Sequence, residues 1–309
     1  MFNTPHKYSS LSFFTVLALM VMTWSIGWAT SAKAQQEDRP LRIIAFGAHP
    51  DDCEIKASGV ARMWASRGHK VKFVSVTNGD IGHFEMAGGE LARRRTKEVE
   101  ECAKLLGIET EVLDNHDGEL MPTLENRKKI ARLIREWQAD VVLAPRSNDY
   151  HPDHRYTAIL VQDASFMVTV PFFTPDTPRV TKNPVFMYYY DRFQKPYPFE
   201  PTIAIGIDEE SGPKYVCMAE LKSQFSEWNA WLDGYDNEVP ADEPGRRAYI
   251  AERFQARDTF VANKYRDLLI DYYGEEKGKS FKYAEVFELS EYGSRPSKEV
   301  LKELFPFFD

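Results

Sequence analysis

Cysteine is scarce in this chain. Three occur in 309 residues, Cys53, Cys102 and Cys217. They are widely separated and odd in number, which excludes a zinc ribbon and gives no disulfide framework. Cys102 falls on an amphipathic helical pattern and reads as a small buried apolar group. Cys53 is not expected to be a ligand, because the adjacent Asp52 already offers a carboxylate. Positive charge is also in short supply: the formal net charge is -8. No basic stripe interleaved with aromatics occurs, so nucleic acid is not an expected partner. The densest basic cluster, Arg93-Arg94-Arg95, is followed by Glu98, Glu100 and Glu101 on one predicted helix. The first strand-to-helix turn has neither Gly-x-Gly-x-x-Gly nor a Walker-type loop, which argues against nucleotide binding. The absence of a Gly-x-Ser-x-Gly elbow argues against a serine hydrolase. Internal repeats and low-complexity tracts are absent as well.

Hydrophobic residues make up 43% and charged residues 28%, enough for a sizeable core. Residues 1–34 read as a signal peptide. His6 and Lys7 give a weakly positive start, Leu11 to Ala29 carries no charge, and Ala32-Lys33-Ala34 offers a small-x-small cleavage site. An uncleaved membrane anchor is the alternative. On either reading the remaining chain is exported, to the periplasm or outside the cell.

Beyond residue 40 strand and helix patterns alternate. Strands are predicted over 41–47, 70–77, 109–113, 140–144, 185–190, 202–207 and 281–289. Helices are predicted over 54–67, 89–106, 124–137, 155–168, 214–232 and 246–273. This order implies an α/β fold, Rossmann-like, with a mostly parallel sheet and helices on both faces. Residues 35–232 would form the core, and residues 233–309 a helical extension packed on it. The stretch 171–201, rich in Pro and aromatics, includes Phe172, Phe173 and Tyr188 to Tyr190 and could roof a pocket.

Ligands bind such sheets at the carboxyl ends of the strands, and two unusual clusters lie there. His49-Pro50-Asp51-Asp52 follows the first strand, and His151-Pro152-Asp153-His154 follows the fourth. His49 and Asp52 can converge across one turn, with His154 approaching from the other loop. Two histidines and a carboxylate give three protein ligands and leave the fourth position of Zn2+ for water. The pKa of that water falls to about 7. Asp51, beside a ligand but projecting differently, is the candidate general base. His151 would face the substrate carbonyl, and once protonated would stabilise the oxyanion or donate to the leaving amine. Asp153 could orient His151 or His154. The same donors accept Fe2+, Co2+ or Mn2+.

Ala48-His49-Pro50-Asp51-Asp52 with the downstream His151-Pro152-Asp153-His154 resembles the PIG-L/LmbE deacetylases over roughly residues 41–224. Arg95 and Glu98, Asp117-Gly118, Ile207-Asp208 and Lys222-Ser223-Gln224 extend the resemblance. It implies a zinc-dependent enzyme that removes acetyl groups from N-acetylglucosamine units of small sugars or glycoconjugates. By position His49, Asp52 and His154 resemble the zinc ligands, Asp51 the base, and His151 the oxyanion-stabilising acid with Asp153 as its partner. Arg95 resembles the arginine that grips sugar hydroxyls, and Asp117 a second substrate contact. Tyr150, next to His151, is a candidate for a tyrosine that some members place there. Lys56, Ala57 and Ser58 depart from the glycine-rich helix start of many members. Two alternatives stand beside this reading: an amidase or deacylase for another acyl or thiol-conjugate substrate, and a carbohydrate-binding homologue without catalysis.

Overall fold

The computed structural model describes Met1 and residues 39–308. Apart from Met1, the expected signal peptide over residues 1–34 lies outside them. Among the described residues no helix is long and apolar enough to cross a membrane.

From Pro40 onward the chain packs as one compact unit. It alternates β1 (Arg42–Gly47), α1 (Asp52–Ser66), β2 (Lys70–Ser75), α2 (Gly89–Leu106), β3 (Glu109–Val112), α3 (Leu124–Trp137), β4 (Val141–Ala144), α4 (Pro152–Met167), β5 (Val185–Tyr189) and β6 (Ile203–Gly206). There follow α5 (Ser211–Glu220), a π-helical turn (Ser223–Trp228), α6 (Asn229–Leu232), α7 (Glu243–Lys264), α8 (Arg266–Tyr273), α9 (Glu275–Ser280), β7 (Ala284–Gly293) and α10 (Lys298–Leu304).

The sheet order is β3-β2-β1-β4-β5-β7-β6. β1 to β5 pair in parallel, and β7 runs antiparallel to both its neighbours. Alternate residues of β1 feed two cores. Ile43 and Ala45 pack with Trp64, Cys102 and Phe305 on one face. Ile44 and Phe46 pack with Ile130, Ile134 and Leu160 on the other. The alternation follows from the two-residue period of a strand, and it places helices on both faces, as expected. The strand order reverses between β1 and β4, and such a switch point opens a crevice at the strands' carboxyl ends. Both histidine clusters sit there.

Two predicted helices are broken. The 214–232 pattern stops at Glu220, where Leu221 leaves the helix with φ -78° and ψ 57°. Glu98 on α2 takes the backbone N–H of Ser223 (3.1 Å) and its hydroxyl, which fixes the π turn. The 246–273 pattern breaks at Tyr265, between α7 and α8. The aromatic roof is also corrected in part. Tyr189 and Tyr190 are buried, in β5 and just after it, and the Tyr188 hydroxyl meets Gln162 (3.0 Å) and Ser290 (2.9 Å).

The expected boundary at residue 233 separates no independent unit, because β7 lies inside the sheet between β5 and β6. Trp64 on α1 donates to the carbonyl of Leu304 (2.9 Å). Glu285 on β7 accepts the backbone N–H groups of Gly59 and Val60 in the middle of α1, at 2.9 Å each. Lys214 pairs with Glu285 (2.9 Å) and with Asp258 on α7 (2.8 Å), all three buried. Removing the ammonium would leave two buried carboxylates without their cation. Lys214→Met is therefore expected to destabilise the fold by about 3–5 kcal/mol, or about 10 °C in melting temperature for a chain of this size. Scanning calorimetry checks this.

Candidate metal centre and active site

The turn after β1 is shaped by close contact. A side chain at Gly47 would place its Cβ 2.6 Å from the Cβ of Asp52, so only glycine lets α1 start this near the strand. Asp52 then closes the loop by accepting the backbone N–H groups of Ala48 (2.8 Å) and His49 (2.9 Å) at Oδ2. Ser75 and Thr77, from β2 and just after it, donate to the carbonyls of His49 (3.2 Å) and Ala48 (2.9 Å). On the β4 side His151 is the N-cap of α4 and Pro152 takes its first turn, a position where the missing N–H costs nothing.

This scaffold gathers three donors. His49 Nδ1 lies 3.2 Å from His154 Nε2 and 3.6 Å from Asp52 Oδ2, and His154 Nε2 lies 3.5 Å from Asp52 Oδ1. A tetrahedral ion with ligand bonds of about 2.0–2.2 Å spaces its ligand atoms about 3.3–3.6 Å apart. The three residues therefore fit a zinc-like cation. The other nitrogen of His49 faces Asp117 (3.0 Å) and Asp153 (3.3 Å). Asp153 is fully buried and also accepts the N–H groups of Gly118 (2.7 Å) and Leu120 (3.3 Å). His49, Asp117 and Asp153 also lie close enough to be considered as donors. The saturated hydrogen bonding of Asp153 makes that face the orienting side of the imidazole.

The electrostatics favour a cation. Burial opposes a charged His49, yet Asp117, Asp153 and Asp52 outweigh it and hold the imidazolium well above its usual range. Burial likewise opposes the charged His154, and Asp52 and Asp149 raise it. For Asp52 burial acts against ionisation, and His154 and His49 overcome it, keeping the carboxyl far below the usual range. A small cavity behind the donors is lined by Gly47, Asp52, Lys56, Asp149 and His154. Lys56 lines that cavity from α1. Its ammonium donates to the carbonyl of Tyr190 (2.9 Å), and burial, with Arg257, pushes it down to about 8.

Asp51 stands next to this group, with Oδ1 3.5 Å from Arg95 Nη2. Burial raises its carboxyl and Arg95 lowers it, leaving a net upward shift, which makes it a stronger base than an exposed aspartate. The ring of His151 meets that of His49 edge to face, centroids 4.6 Å apart. Its Nδ1 accepts the backbone N–H of Asp153 (3.2 Å), so the neutral ring carries its proton on Nε2. Burial and the neighbouring His49 and His154 lower its pKa. A neutral ring with that proton can donate an N–H hydrogen bond.

Several expected contacts differ. Asp153 holds neither His151 nor His154 through its carboxylate; it faces His49. Asp117 faces the same nitrogen. Arg95 is 2% exposed and donates to the carbonyl of Gly79 (3.1 Å), so it reaches Asp51 rather than open solvent. Glu98, on the same helix, binds Ser223 and Arg94. Tyr150 is 73% exposed, its ring edge-on to those of His151 (5.8 Å) and His154 (5.5 Å). Cys53 points away from the donors, toward the carbonyl of Ala45 (3.4 Å). His116 pairs with Asp80 (2.6 Å), and His69 accepts the N–H of Leu41 (3.1 Å).

Sequence reasoning missed Asp149. Its Oδ1 lies 2.9 Å from His154 Nδ1 and 3.0 Å from the backbone nitrogen of His151. The one available signal was an aspartate just ahead of the second cluster. Asp149→Ala is expected to weaken metal affinity about 10- to 100-fold, read by titration of the purified variant with Zn2+.

Residues 44–165 match the family model described as PIG-L: GlcNAc-PI de-N-acetylase. The chain is 29% identical over 198 residues to the diacetylchitobiose deacetylase of Thermococcus kodakarensis, spanning 62% of this chain and 73% of that protein. Among solved structures, N,N'-diacetylchitobiose deacetylase from Pyrococcus horikoshii superposes with a TM-score of 0.63 at 22% identity, over 92% of this chain and 95% of the other. The 4-carboxy-2-hydroxymuconate hydratase from Pseudomonas putida gives a TM-score of 0.64 at 18% identity, over 83% and 98%. At these identities the structural likeness speaks for the fold.

Proposed function

We propose that this chain, whose residues 44–165 match the PIG-L family model, is a metal-dependent amide hydrolase that removes an acetyl group from an N-acetylglucosamine-type sugar or glycoconjugate. The observation that carries this reading is the donor triangle of His49, Asp52 and His154 with the buried carboxylate of Asp51 beside it. The name of the Thermococcus relative, diacetylchitobiose deacetylase, supports the choice of substrate.

A bound divalent ion supplies Lewis acidity and an acidified water. Zinc suits the donors, and Fe2+, Co2+ or Mn2+ accept the same set. Asp51 takes the proton of the attacking water as its oxygen bonds to the acetyl carbon. The Nε2–H of His151 donates to the oxyanion that develops on the carbonyl. Asp51 then passes its proton to the departing amine nitrogen as the C–N bond breaks. The products are acetate and a free amino sugar. Arg95 positions Asp51 from behind, and Asp117 and Asp153 fix the ring of His49. Tyr150, exposed beside His151 and His154, would contact the sugar. The apolar stretch and small-x-small site before residue 35 support export, with action in the periplasm or outside the cell.

A hydratase shares the fold, so the test must separate the two chemistries. The mature chain is incubated with N-acetylglucosamine and with its β-linked dimer, and free acetate is measured with and without a chelator. Release that stops with the chelator supports the reading. Release indifferent to the chelator removes the metal mechanism, and no release from any N-acetylated sugar removes the substrate assignment.

A further inference from the structure

We propose that a column of aromatic rings beside the metal centre is a saccharide subsite, so that the preferred substrate is an N-acetylated oligosaccharide or glycoconjugate rather than a lone monosaccharide. This rests on the deacetylase reading above and extends it to the substrate's length.

The column is built from the loop after β2 and from the turn between α5 and α7. The rings of His83 and Phe84 stack with centroids 4.6 Å apart, Phe84 and Trp231 at 5.3 Å, and Trp231 and Trp228 at 5.5 Å, with planes within 20° of parallel in each pair. Such separations are offset stacks, and the two central rings stay open to solvent. Phe84 is 39% exposed and Trp231 47%. Exposed aromatic area of this kind is costly in water without a ligand to cover it.

Its position connects it to the catalytic group. Gly82 precedes His83, and a Cβ there would lie 2.9 Å from Arg95 Nη1 and 3.3 Å from Asp117 Oδ2. The loop therefore runs directly over the residues that hold Asp51 and His49. It is also held stiffly. His83 Nδ1 accepts the N–H groups of Glu85 (3.1 Å) and Met86 (3.2 Å), so its Nε2–H donates to Glu227 (2.9 Å). Arg94 grips Glu227 with two hydrogen bonds (2.7 and 2.6 Å), and Gln224 donates to the carbonyl of Gly82 (3.1 Å). A surface fixed in advance loses little entropy on binding.

The chemistry selects a sugar. A pyranose ring has an apolar C–H face that packs on an aromatic face, while its hydroxyls point outward to polar neighbours. Arg94 and Glu227 keep 30% and 34% of their side chains exposed at the edge of the column. Their charges suit a hydroxylated ligand and would be stranded under an acyl chain.

Acetate release is compared across N-acetylglucosamine and its β-linked dimer and tetramer, for the unmodified chain and for Trp231→Ala and Trp231→Phe. Tetramer binding is measured in parallel by calorimetry. In the unmodified chain kcat/KM should rise with length, and Trp231→Ala should cut the tetramer-to-monomer ratio about tenfold. Trp231→Phe should keep most of the ratio, which separates ring loss from misfolding. If no sugar is deacetylated, the deacetylase reading fails, and tetramer binding that weakens in Trp231→Ala still supports the subsite. A length profile unchanged by Trp231→Ala, tetramer binding unchanged by it, or a change of oligomeric state in that variant would overturn the subsite.

Discussion

Asp51→Asn is expected to lower kcat for acetate release about 10²- to 10⁴-fold while leaving the bound metal in place. The amide is nearly the size of the carboxylate, so the turn is kept, but it cannot accept the water's proton. Metal analysis of the same preparation is the control: retained metal with unchanged turnover would remove the base assignment. The pH profile gives a second check. Burial raises Asp51 and Arg95 lowers it, so kcat/KM should fall as pH drops through the carboxyl's pKa. Taking away the guanidinium removes the downward influence. Arg95→Met should therefore move that acidic limb to higher pH, and a limb that stays fixed would show that the salt contact (3.5 Å) has no electrostatic role.

His154→Ala should abolish both metal binding and turnover. It removes one corner of the donor triangle and leaves two ligands, too few for a tight site. The pattern differs from that of the base variant, which keeps its ion. Thermal denaturation separates them further. A ligand that binds only the folded state at a thousand times its Kd adds about 4 kcal/mol of stability. The melting temperature of the unmodified chain should therefore fall when a chelator is added. That of His154→Ala should ignore the chelator, and a chelator-sensitive His154→Ala protein would place the ion elsewhere.

Most strands were legible because they are short apolar or β-branched runs, and Ile43 to Gly47 and Val141 to Ala144 are buried within the sheet. The two clusters were legible because they follow strands one and four, and the strand order turns back between those strands. What failed to show was everything set by distant contacts. Glu98 shares one predicted helix with Arg94 and Arg95, yet it also reaches across to Ser223, where a helix that periodicity made continuous is broken. Asp153 and Asp117 both turn to His49, a choice that depends on the loop after β3 folding over α4. Asp149 sits in a loop whose composition suggests only a turn. Phe281 to Leu289 could be read as a strand, but no local pattern says that it slides between β5 and β6.

That insertion has a consequence for biosynthesis. The candidate donors have all been synthesised by residue 154, yet the sheet beside them cannot close until β7, ending at Gly293, has left the ribosome. A fragment stopping near residue 232 would expose the edge of β5 and leave β6 with no strand to pair with. The C-terminal quarter therefore cannot be trimmed away to give a minimal catalyst, and a chain cut short there should be found among aggregates.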